Sequence, residues 1–243
     1  MKAPKFFRWI VERLRNIVRT EVEHSLLRRS EQTSKDIRLA LQRRAVDSTA
    51  EYVERHMHTT PAFETPWSLM VAAIAKASIT NSRLAMEFGV FKGKSINFIA
   101  DKIDSTIYGF DSFEGLPETW RTDFEKGHFS IPELPLVKNN VVLIKGWFQD
   151  TLPGFLQEHA ENVGFLHIDC DLYSSTAAIF KYLEKRLVPG TVIVFDEYFN
   201  YPGWQKGEFL AFREFLEKSA LCYEYLGYNY LHEQVAVVLK SRT

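Results

Sequence analysis

The sequence predicts an α/β protein in which helices cover both faces of a mostly parallel sheet. Beyond about residue 60, apolar runs of strand length alternate with runs of helical length. Apolar strands that alternate with helices are typical of a parallel sheet buried on both faces. Two further strand-like runs near the end of the chain, 223–226 and 235–239, predict a closing antiparallel pair. Together these runs predict seven strands.

The elements are taken in chain order. Residues 1 to about 58 contain no glycine and one proline, at position 4, which predicts helix. Pro61 ends this helical region, and Pro66 suits the first turn of a helix that runs to about residue 78. The remaining strands are predicted at 84–88, 105–110, 141–144, 163–168 and 191–195. The remaining helices are predicted at 95–102, 151–161, 176–187 and 208–219.

The size of the chain, 243 residues, allows one α/β domain with an appendage. We place a basic helical extension at 1–60 and the α/β domain at 61–243. The net charge of −1 gives no general attraction to nucleic acid. Nucleic acid is not an expected partner, because no aromatic and basic patch accompanies the extension in the domain. Two cysteines suggest no disulfide framework and fit a reducing compartment, so we expect a cytoplasmic protein without a secretory signal or a membrane span.

The extension carries apolar residues at helical spacing, with arginines on the other face. These apolar residues are Phe6, Trp9, Ile10, Leu14, Ile17 and Val18. One interpretation is that this stripe packs on its own domain or on a second subunit, which would make a homo-oligomer. The other is a basic amphipathic helix in peripheral contact with an acidic membrane surface, such as the inner membrane surface.

A glycine-rich turn, E-F-G-V-F-K-G-K-S at 87–95, lies between the first strand of the domain and a helix. Such a turn brings backbone N–H groups close to a ligand. Glu87 at the strand end would repel a phosphate but would attract an ammonium group. S-adenosylmethionine is a nucleotide-like ligand with an amino-acid end, so it is the cofactor that this turn predicts.

Two competing motifs fit this turn less well. The phosphate-binding P-loop needs four residues between its glycines, whereas only three separate Gly89 from Gly93. The apolar strand that ends in Asp196-Glu197 does resemble the magnesium strand of P-loop NTPases. The dinucleotide fingerprint fails because Phe91 stands at its second glycine. A degenerate P-loop-like nucleotide-binding protein therefore remains an alternative.

Acidic residues follow the predicted strands repeatedly, at the edge where ligands bind in such sheets. They are Glu87, Asp111, Asp169, Asp171, Asp196 and Glu197. Converging carboxylates repel one another unless a cation shares the site, and oxygen ligands suit magnesium or calcium. Asp111 is also placed to accept hydrogen bonds from a ribose diol. We interpret His167, inside a strand, as a packed core residue.

Aromatic residues supply two further expectations. Trp147 and Phe148 follow the third strand, where they could lie against an adenine or pack in the core. Residues 112–138 are too many for a simple connection, and we expect them to form part of a lid or acceptor pocket. Trp120, Phe124 and Phe129 in this segment could stack on a sugar face or pack together.

Five blocks in order resemble the macrocin O-methyltransferase family of class I S-adenosylmethionine-dependent enzymes. The blocks are E-F-G-V-F-K-G-K-S (87–95), G-F-D-S-F-E-G-L-P (109–117), K-G-W-F-Q-D-T-L (145–152), F-L-H-I-D-C-D-L-Y-S-S-T (165–176) and F-D-E-Y-F-N-Y-P-G-W (195–204). The resemblance implies a Rossmann-like class I methyltransferase fold, a divalent cation such as Mg²⁺, and methylation of a hydroxyl, often on a sugar. It covers residues from about 60 to the end and leaves out the basic extension.

The resemblance also implies roles for particular residues. The cofactor would contact Glu87, Gly89, Gly93, Ser95, Asp111, Ser112, Trp147 and Phe148. The metal would be held by Asp169, Asp196 and Glu197, where some family members carry two aspartates at the last two positions. Asp169 and Asp171 would be catalytic, with Asp171 as the base or a further ligand. We therefore expect a metal-dependent O-methyltransferase acting on a hydroxyl of a sugar-containing small molecule or glycan precursor. A non-catalytic scaffold with the same fold is the second alternative.

Overall fold

The computed structural model describes residues 5–77, 79–80 and 82–242. Two helices open the chain, α1 at Lys5–Lys35 and α2 at Ile37–His56. The helical region predicted at 1–58 is thus interrupted at Asp36, whose carboxylate accepts hydrogen bonds from the backbone N–H groups of Arg38 and Leu39 and caps α2. Within the described ranges, no helix is both long enough and apolar enough to cross a membrane.

A single sheet of eight strands forms the centre of the protein. Its strands are β1 (Ala62–Phe63), β2 (Arg83–Phe88), β3 (Ile107–Asp111), β4 (Val141–Lys145), β5 (Asn162–Ile168), β6 (Val192–Phe195), β7 (Leu221–Asn229) and β8 (Val235–Ser241). Their spatial order is β1-β7-β8-β6-β5-β2-β3-β4, and only β8 runs antiparallel to its neighbours among these strands. The seven predicted strands are confirmed, as is the closing antiparallel pair. The eighth, β1, is a two-residue edge strand beside β7 that was not predicted.

Helices cover both faces of the sheet, as predicted. They are α3 (Pro66–Lys76), α4 (Lys94–Ala100), α5 (Phe148–Glu158), α6 (Tyr173–Leu183) and α7 (Glu208–Lys218), with a short 3-10 helix at Trp204–Lys206. Successive strand residues point to opposite faces, so Met86 and Phe88 join the core under α5, α6 and α7, whereas Ala85 joins the core under α3 and α4. Glu87 alternates with Met86 and Phe88 and therefore lies on the α3–α4 face.

The strand order reverses between β2 and β5. From β2 the chain proceeds outward to β3 and β4, and it then returns to β5 and β6 on the other side. In open α/β sheets, ligands bind beyond the carboxyl ends of the strands at this point of reversal. The acidic residues singled out in the sequence lie at the ends of these strands or just beyond them, with Glu87 inside β2 and Asp111 the last residue of β3.

The two helices of the extension differ in their packing. Helix α2 holds the loop after β6: the Trp204 indole N–H donates to the Ser48 hydroxyl, and the Asn200 backbone N–H donates to Thr49 Oγ1, both at 3.0 Å. On α1, the described apolar side chains are each more than half exposed: Trp9, Leu14, Ile17, Val18 and Val22. The extension predicted at 1–60 therefore contains one helix packed on the domain and one with an exposed apolar stripe. The stripe residues Phe6 and Ile10 have side chains outside the described part.

Candidate active site

A cavity of about 500 Å³ opens where the sheet reverses its order. Most of the residues predicted for the site line it: Gly89, Asp111, Ser112, Trp147, Phe148, Asp169, Asp171 and Glu197. The aromatic residues predicted for the acceptor side, Trp120, Phe124 and Phe129, line it as well. Four predicted residues are not among those that line it: Glu87, Gly93, Ser95 and Asp196.

Residues 89–93, the glycine turn, form one side of the cavity. Gly89 has a positive φ of 91°, and a Cβ atom at this position would lie 1.6 Å from the Asp169 carbonyl oxygen. Only glycine allows the turn to lie so close to the end of β5. Phe91 also has a positive φ, 48°, which is uncommon for a bulky residue and marks a strained turn beside the cavity.

Asp111 ties the glycine turn to the end of β3. Its Oδ2 accepts hydrogen bonds from the backbone N–H groups of Val90 and Phe91 at 2.8 Å, and its Oδ1 accepts one from Phe113 at 2.7 Å. Three charge-assisted hydrogen bonds fix this carboxylate on the cavity wall. A carboxylate has further lone pairs, so the predicted contact with a ribose stays open as a prediction.

Glu87 and His167 form a buried pair behind the glycine turn. Glu87 Oε2 lies 2.8 Å from His167 Nδ1, and Glu87 Oε1 accepts a hydrogen bond from the Ser95 hydroxyl at 3.2 Å. Burial raises the pKa of Glu87, and the neighbouring His167 opposes this rise. The carboxylate is fully buried, so its predicted attraction of the cofactor ammonium is not visible as a contact in the structure and remains a prediction.

The opposite side of the cavity is a carboxylate cluster of Asp169, Asp171, Asp196, Glu197 and Glu208. Burial and the charge of Asp196 raise the pKa of Asp169 well above its ordinary value, and they raise that of Asp171 to about 7. Burial and the charge of Asp171 raise the pKa of Glu197 well above its ordinary value. Such shifts are typical of functional sites in which like charges are held together.

Asp196 is the exception in the carboxylate cluster. Burial acts to raise its pKa, but His167, Gln234 and Glu197 together outweigh burial, and the pKa is lowered. His167 Nε2 lies 3.9 Å from Asp196 Oδ1, too far for a hydrogen bond. Burial acts to lower the pKa of His167, but Asp196 and Glu87 together raise it well above its ordinary value.

Several buried polar atoms of this region have no hydrogen-bond partner within the described ranges. They are His167 Nε2, Glu197 Oε2, Glu208 Oε1 and the Tyr201 hydroxyl. Leaving buried polar atoms unpaired costs about 1–3 kcal/mol each, so a concentration of them around the carboxylate cluster is typical of a functional site. One atom each from His167, Asp169 and Asp196 lie within 4.8 Å of one another, a spacing that could hold a metal ion.

Two residues beside the cavity were not predicted for the site. His167, interpreted from the sequence as a packed core residue, is indeed buried, but it also pairs with Glu87 and lies two residues before Asp169, on the same side of β5. Glu208 begins α7, and its Oε2 accepts a hydrogen bond from the Glu197 backbone N–H at 3.2 Å. No local signal in the sequence links Glu208 to the cluster.

Aromatic rings and one arginine form the outer part of the cavity. The Arg121 guanidinium lies 3.7 Å from the centre of the Trp120 ring, and Arg121 Nη1 is 3.5 Å from Glu233 Oε1. Ring pairs join Trp120 to Phe124 and Phe91 to Phe129, with centroids 5.2 and 5.3 Å apart. The rings pack on one another, as one interpretation of the aromatic residues in 112–138 expected, and because they also line the cavity, stacking on a sugar stays a prediction.

Comparisons of the sequence with known proteins find methyltransferases. Residues 86–198 match the sequence profile of a methyltransferase-domain family. A tetracenomycin rhamnosyl 4'-O-methyltransferase from Streptomyces olivaceus is 28% identical over 46% of this chain and 52% of the relative. Mycinamicin III 3''-O-methyltransferase from Micromonospora griseorubida is 26% identical over 46% of this chain and 54% of the relative. The chain thus spans about half the length of these relatives.

Solved structures confirm the fold. A calicheamicin methyltransferase superposes with a TM-score of 0.58 at 23% identity, over 71% of this chain and 77% of that chain. The O-methyltransferase NovP superposes with a TM-score of 0.52 at 19% identity, over 71% of this chain and 78% of that chain. The predicted Rossmann-like class I methyltransferase fold is therefore confirmed.

Proposed function

We propose that the chain is an S-adenosylmethionine-dependent O-methyltransferase that acts on a sugar hydroxyl, a proposal supported by the match of residues 86–198 to a methyltransferase-domain family. The observation that carries this proposal is one cavity with the glycine turn on one side and the carboxylate cluster on the other. The turn would bind the cofactor, and the cluster would bind a cation together with the acceptor hydroxyl.

The cofactor would lie along the glycine turn, with its ribose toward Asp111 and its adenine toward Trp147 and Phe148. The competing P-loop alternative needs free backbone N–H groups in the turn for phosphates. In the structure the N–H groups of Val90 and Phe91 already donate to Asp111, whose negative charge would repel a phosphate. This arrangement favours S-adenosylmethionine over ATP.

We propose a divalent cation in the carboxylate cluster, held by Asp169 and Asp196. The raised pKa of Asp169 and the unpaired His167 Nε2 are features that a bound cation would relieve. The oxygen donors suit magnesium, which was the prediction from the sequence. Glu197, predicted as a third ligand, lines the cavity with an unpaired Oε2 and remains a candidate. When bound, the cation would lower the pKa of an acceptor hydroxyl.

Asp171 is the base that we propose for the acceptor proton. It lines the cavity, it has a positive φ of 63°, and its pKa is raised to about 7. A base with a pKa near the working pH combines the correct protonation state with useful basicity. The hydroxyl oxygen would bond to the cofactor methyl carbon as the carbon–sulfur bond breaks, and the hydroxyl proton would pass to Asp171.

The acceptor class follows from the outer part of the cavity. Trp120, Phe124 and Phe129 offer ring faces on which a sugar could stack, and relatives of the chain are named as methyltransferases of a rhamnosyl-tetracenomycin and of mycinamicin III. We therefore propose a sugar hydroxyl in a small molecule or a glycan precursor. Replacing Trp120 with alanine should raise KM for the acceptor more than it lowers kcat.

Calorimetric titration with S-adenosylhomocysteine, and with ATP–magnesium in parallel, tests the cofactor class. We expect micromolar binding of S-adenosylhomocysteine and no binding of ATP. Binding of ATP alone would support the nucleotide-binding alternative, and binding of neither would support the non-catalytic scaffold. Transfer of a labelled methyl group to deoxysugar glycosides, but not to the same glycosides lacking vicinal hydroxyls, tests the acceptor.

We also propose that α1 joins two copies of the chain through its exposed stripe, since Leu14, Val18 and Val22 recur every four residues and stay more than half exposed. The double change L14E/V18E should convert a dimer into a monomer in light scattering, whereas Thr20→Glu on the same helix should not. A monomeric wild type that floats with acidic vesicles would instead support peripheral contact with a membrane surface from the cytoplasmic side.

A further inference from the structure

We propose that His167 is a direct ligand of the cation, oriented by Glu87, and that its nitrogen makes the site prefer manganese over magnesium. The inference rests on the cation of the proposed function and deepens it. It assigns to His167 and Glu87 roles that differ from those expected from the sequence, a packed core residue and a contact of the cofactor.

The hydrogen bonds around His167 leave one ring nitrogen aimed at the carboxylate cluster. Its side chain is 1% exposed, and Nδ1 lies 2.8 Å from Glu87 Oε2. An ionised carboxylate only accepts hydrogen bonds, so Nδ1 donates to Glu87, and Nε2 is the atom that faces outward. Nε2 has no hydrogen-bond partner in the described part of the chain.

The backbone fixes this arrangement. His167 on β5 pairs with Glu87 on β2 in the sheet register, so the two side chains lie next to each other on one face. Asp169 follows on the same side of the extended chain, and the Asp196 backbone N–H donates to the Ile168 carbonyl at 2.9 Å. Three donors from the ends of two neighbouring strands therefore converge without any lid or loop movement.

The distance between His167 and Asp196 fits two ligands of one metal ion better than a direct ion pair between the two side chains. His167 Nε2 is 3.9 Å from Asp196 Oδ1, beyond hydrogen-bond length. Two donors that each lie about 2.1 Å from one ion can be at most about 4.2 Å apart, so this gap has room for an ion between them. Small side-chain rotations would bring in the third donor, since all three ligand atoms lie within 4.8 Å.

The pair of Glu87 and His167 has the form found around many metal sites. A metal-bound histidine usually donates its second N–H to a carboxylate, which fixes the ring and raises its basicity as a ligand. Metal binding requires the neutral imidazole nitrogen, so the ion takes the place of a proton on Nε2. Imidazole ligands suit first-row transition ions, whereas magnesium keeps oxygen ligands and water.

Electron paramagnetic resonance of the Mn²⁺-loaded full chain, after treatment with a chelator, tests the inference. We expect nitrogen-14 coupling in the electron spin echo modulation of the wild type and its loss in His167→Gln. Calorimetry should show Mn²⁺ affinity reduced at least tenfold in His167→Gln, with Mg²⁺ affinity changed less than threefold. Glu87→Gln should retain the nitrogen coupling and weaken Mn²⁺ binding by about 10–100-fold. His58→Gln, an exposed histidine after α2, serves as the matched control and should match the wild type.

The outcomes separate this inference from the proposed function. Tight Mn²⁺ binding by the wild type without nitrogen coupling would overturn the role of His167 and leave the cation of the proposed function intact. Failure of the wild type to bind either ion would overturn both. If His167→Gln does not fold, the presence or absence of nitrogen coupling in the wild-type spectrum alone shows whether a histidine binds the ion.

Discussion

The two sides of the cavity, the glycine turn and the carboxylate cluster, differ in how their polar groups are paired. In the turn, the backbone N–H groups of Val90 and Phe91 donate to Asp111. In the cluster, Glu197 Oε2 and Glu208 Oε1 are buried without a partner in the described part of the chain. The turn is thus complete without a ligand, whereas the cluster holds like charges together at a cost in stability, as functional sites often do.

The largest effect is expected from Gly89→Ala, because the turn depends on close backbone packing. The added Cβ would lie 1.6 Å from the Asp169 carbonyl oxygen in a backbone with a φ of 91°. We expect a loss of roughly 3 kcal/mol or more in the free energy of unfolding, measured by urea denaturation. S-adenosylhomocysteine binding should fall with it.

Gly154→Ala is the matched control for Gly89→Ala. Gly154 lies inside α5, and a Cβ atom there would meet nothing within 4 Å. Alanine favours helix over glycine by about 0.5–1 kcal/mol, so this change should stabilise the protein slightly. A Gly89→Ala protein as stable as Gly154→Ala would show that the turn is not preorganised.

The second prediction concerns Asp111, the residue that completes the turn. Asp111→Asn keeps the size of the side chain but replaces one carboxylate oxygen with an NH₂ group. An NH₂ group cannot accept a hydrogen bond, so at least one of the bonds from Val90, Phe91 and Phe113 is lost. We expect a loss of about 2 kcal/mol in stability and weaker S-adenosylhomocysteine binding by calorimetry. Asp104→Asn, at an exposed aspartate before β3, should change neither quantity.

The third prediction is a gain in stability, because the substitution removes one of the like charges in the carboxylate cluster. Burial and the charge of Asp196 disfavour an ionised Asp169, so Asp169→Asn should stabilise the cation-free protein. We expect a gain of about 1 kcal/mol, which corresponds to roughly 2–4 °C in Tm at this chain length. Methyl transfer should be lost, together with the rise in Tm that Mg²⁺ or Mn²⁺ gives the wild type.

Asp196→Asn is the matched control for Asp169→Asn. Asp196 is the member of the cluster whose pKa is lowered, because His167, Gln234 and Glu197 together outweigh burial. Its removal takes away one of the carboxylates that stabilise a charged His167 and leaves Glu87 as its hydrogen-bond partner, so Tm in chelator should not rise. Equal Tm gains in both variants would argue against the charge distribution described here.

The sequence was sufficient for most of the framework. Apolar runs and breakers identified the seven long strands, and the strand-end rule brought Asp111, Asp169 and Asp171 to one cavity. The sequence was insufficient for residues whose position in the site depends on tertiary contacts. The role of His167 depends on a 3.9 Å gap to Asp196 across two strands, and Glu208 reaches the cluster from a helix that begins 39 positions after Asp169. The two-residue strand β1 is too short for any pattern to reveal.

The smallest effect is expected where α2 supports the loop that follows the cluster. The Tyr52 hydroxyl on α2 lies 2.5 Å from that of Tyr225, which also bonds the Tyr198 hydroxyl next to Glu197. At pH 8, Tyr52→Phe should cost about 1 kcal/mol or less, the net value of one hydrogen bond.

The pH dependence of the same variant completes the argument. Burial raises the pKa of Tyr52 to about 12, above the ordinary value of 10.0. The folded state therefore holds this proton more tightly than the unfolded state, so stability is fully present below pH 10 and falls as the pH rises toward 12. Denaturation at pH 8 and pH 11 should show a smaller loss for Tyr52→Phe than for the wild type, whereas Tyr230→Phe, at an exposed tyrosine, should lose as much as the wild type. Identical losses in all three proteins would mean that the Tyr52 hydroxyl does not contribute and that α2 holds the loop after β6 through Gln42, Ser48 and Thr49.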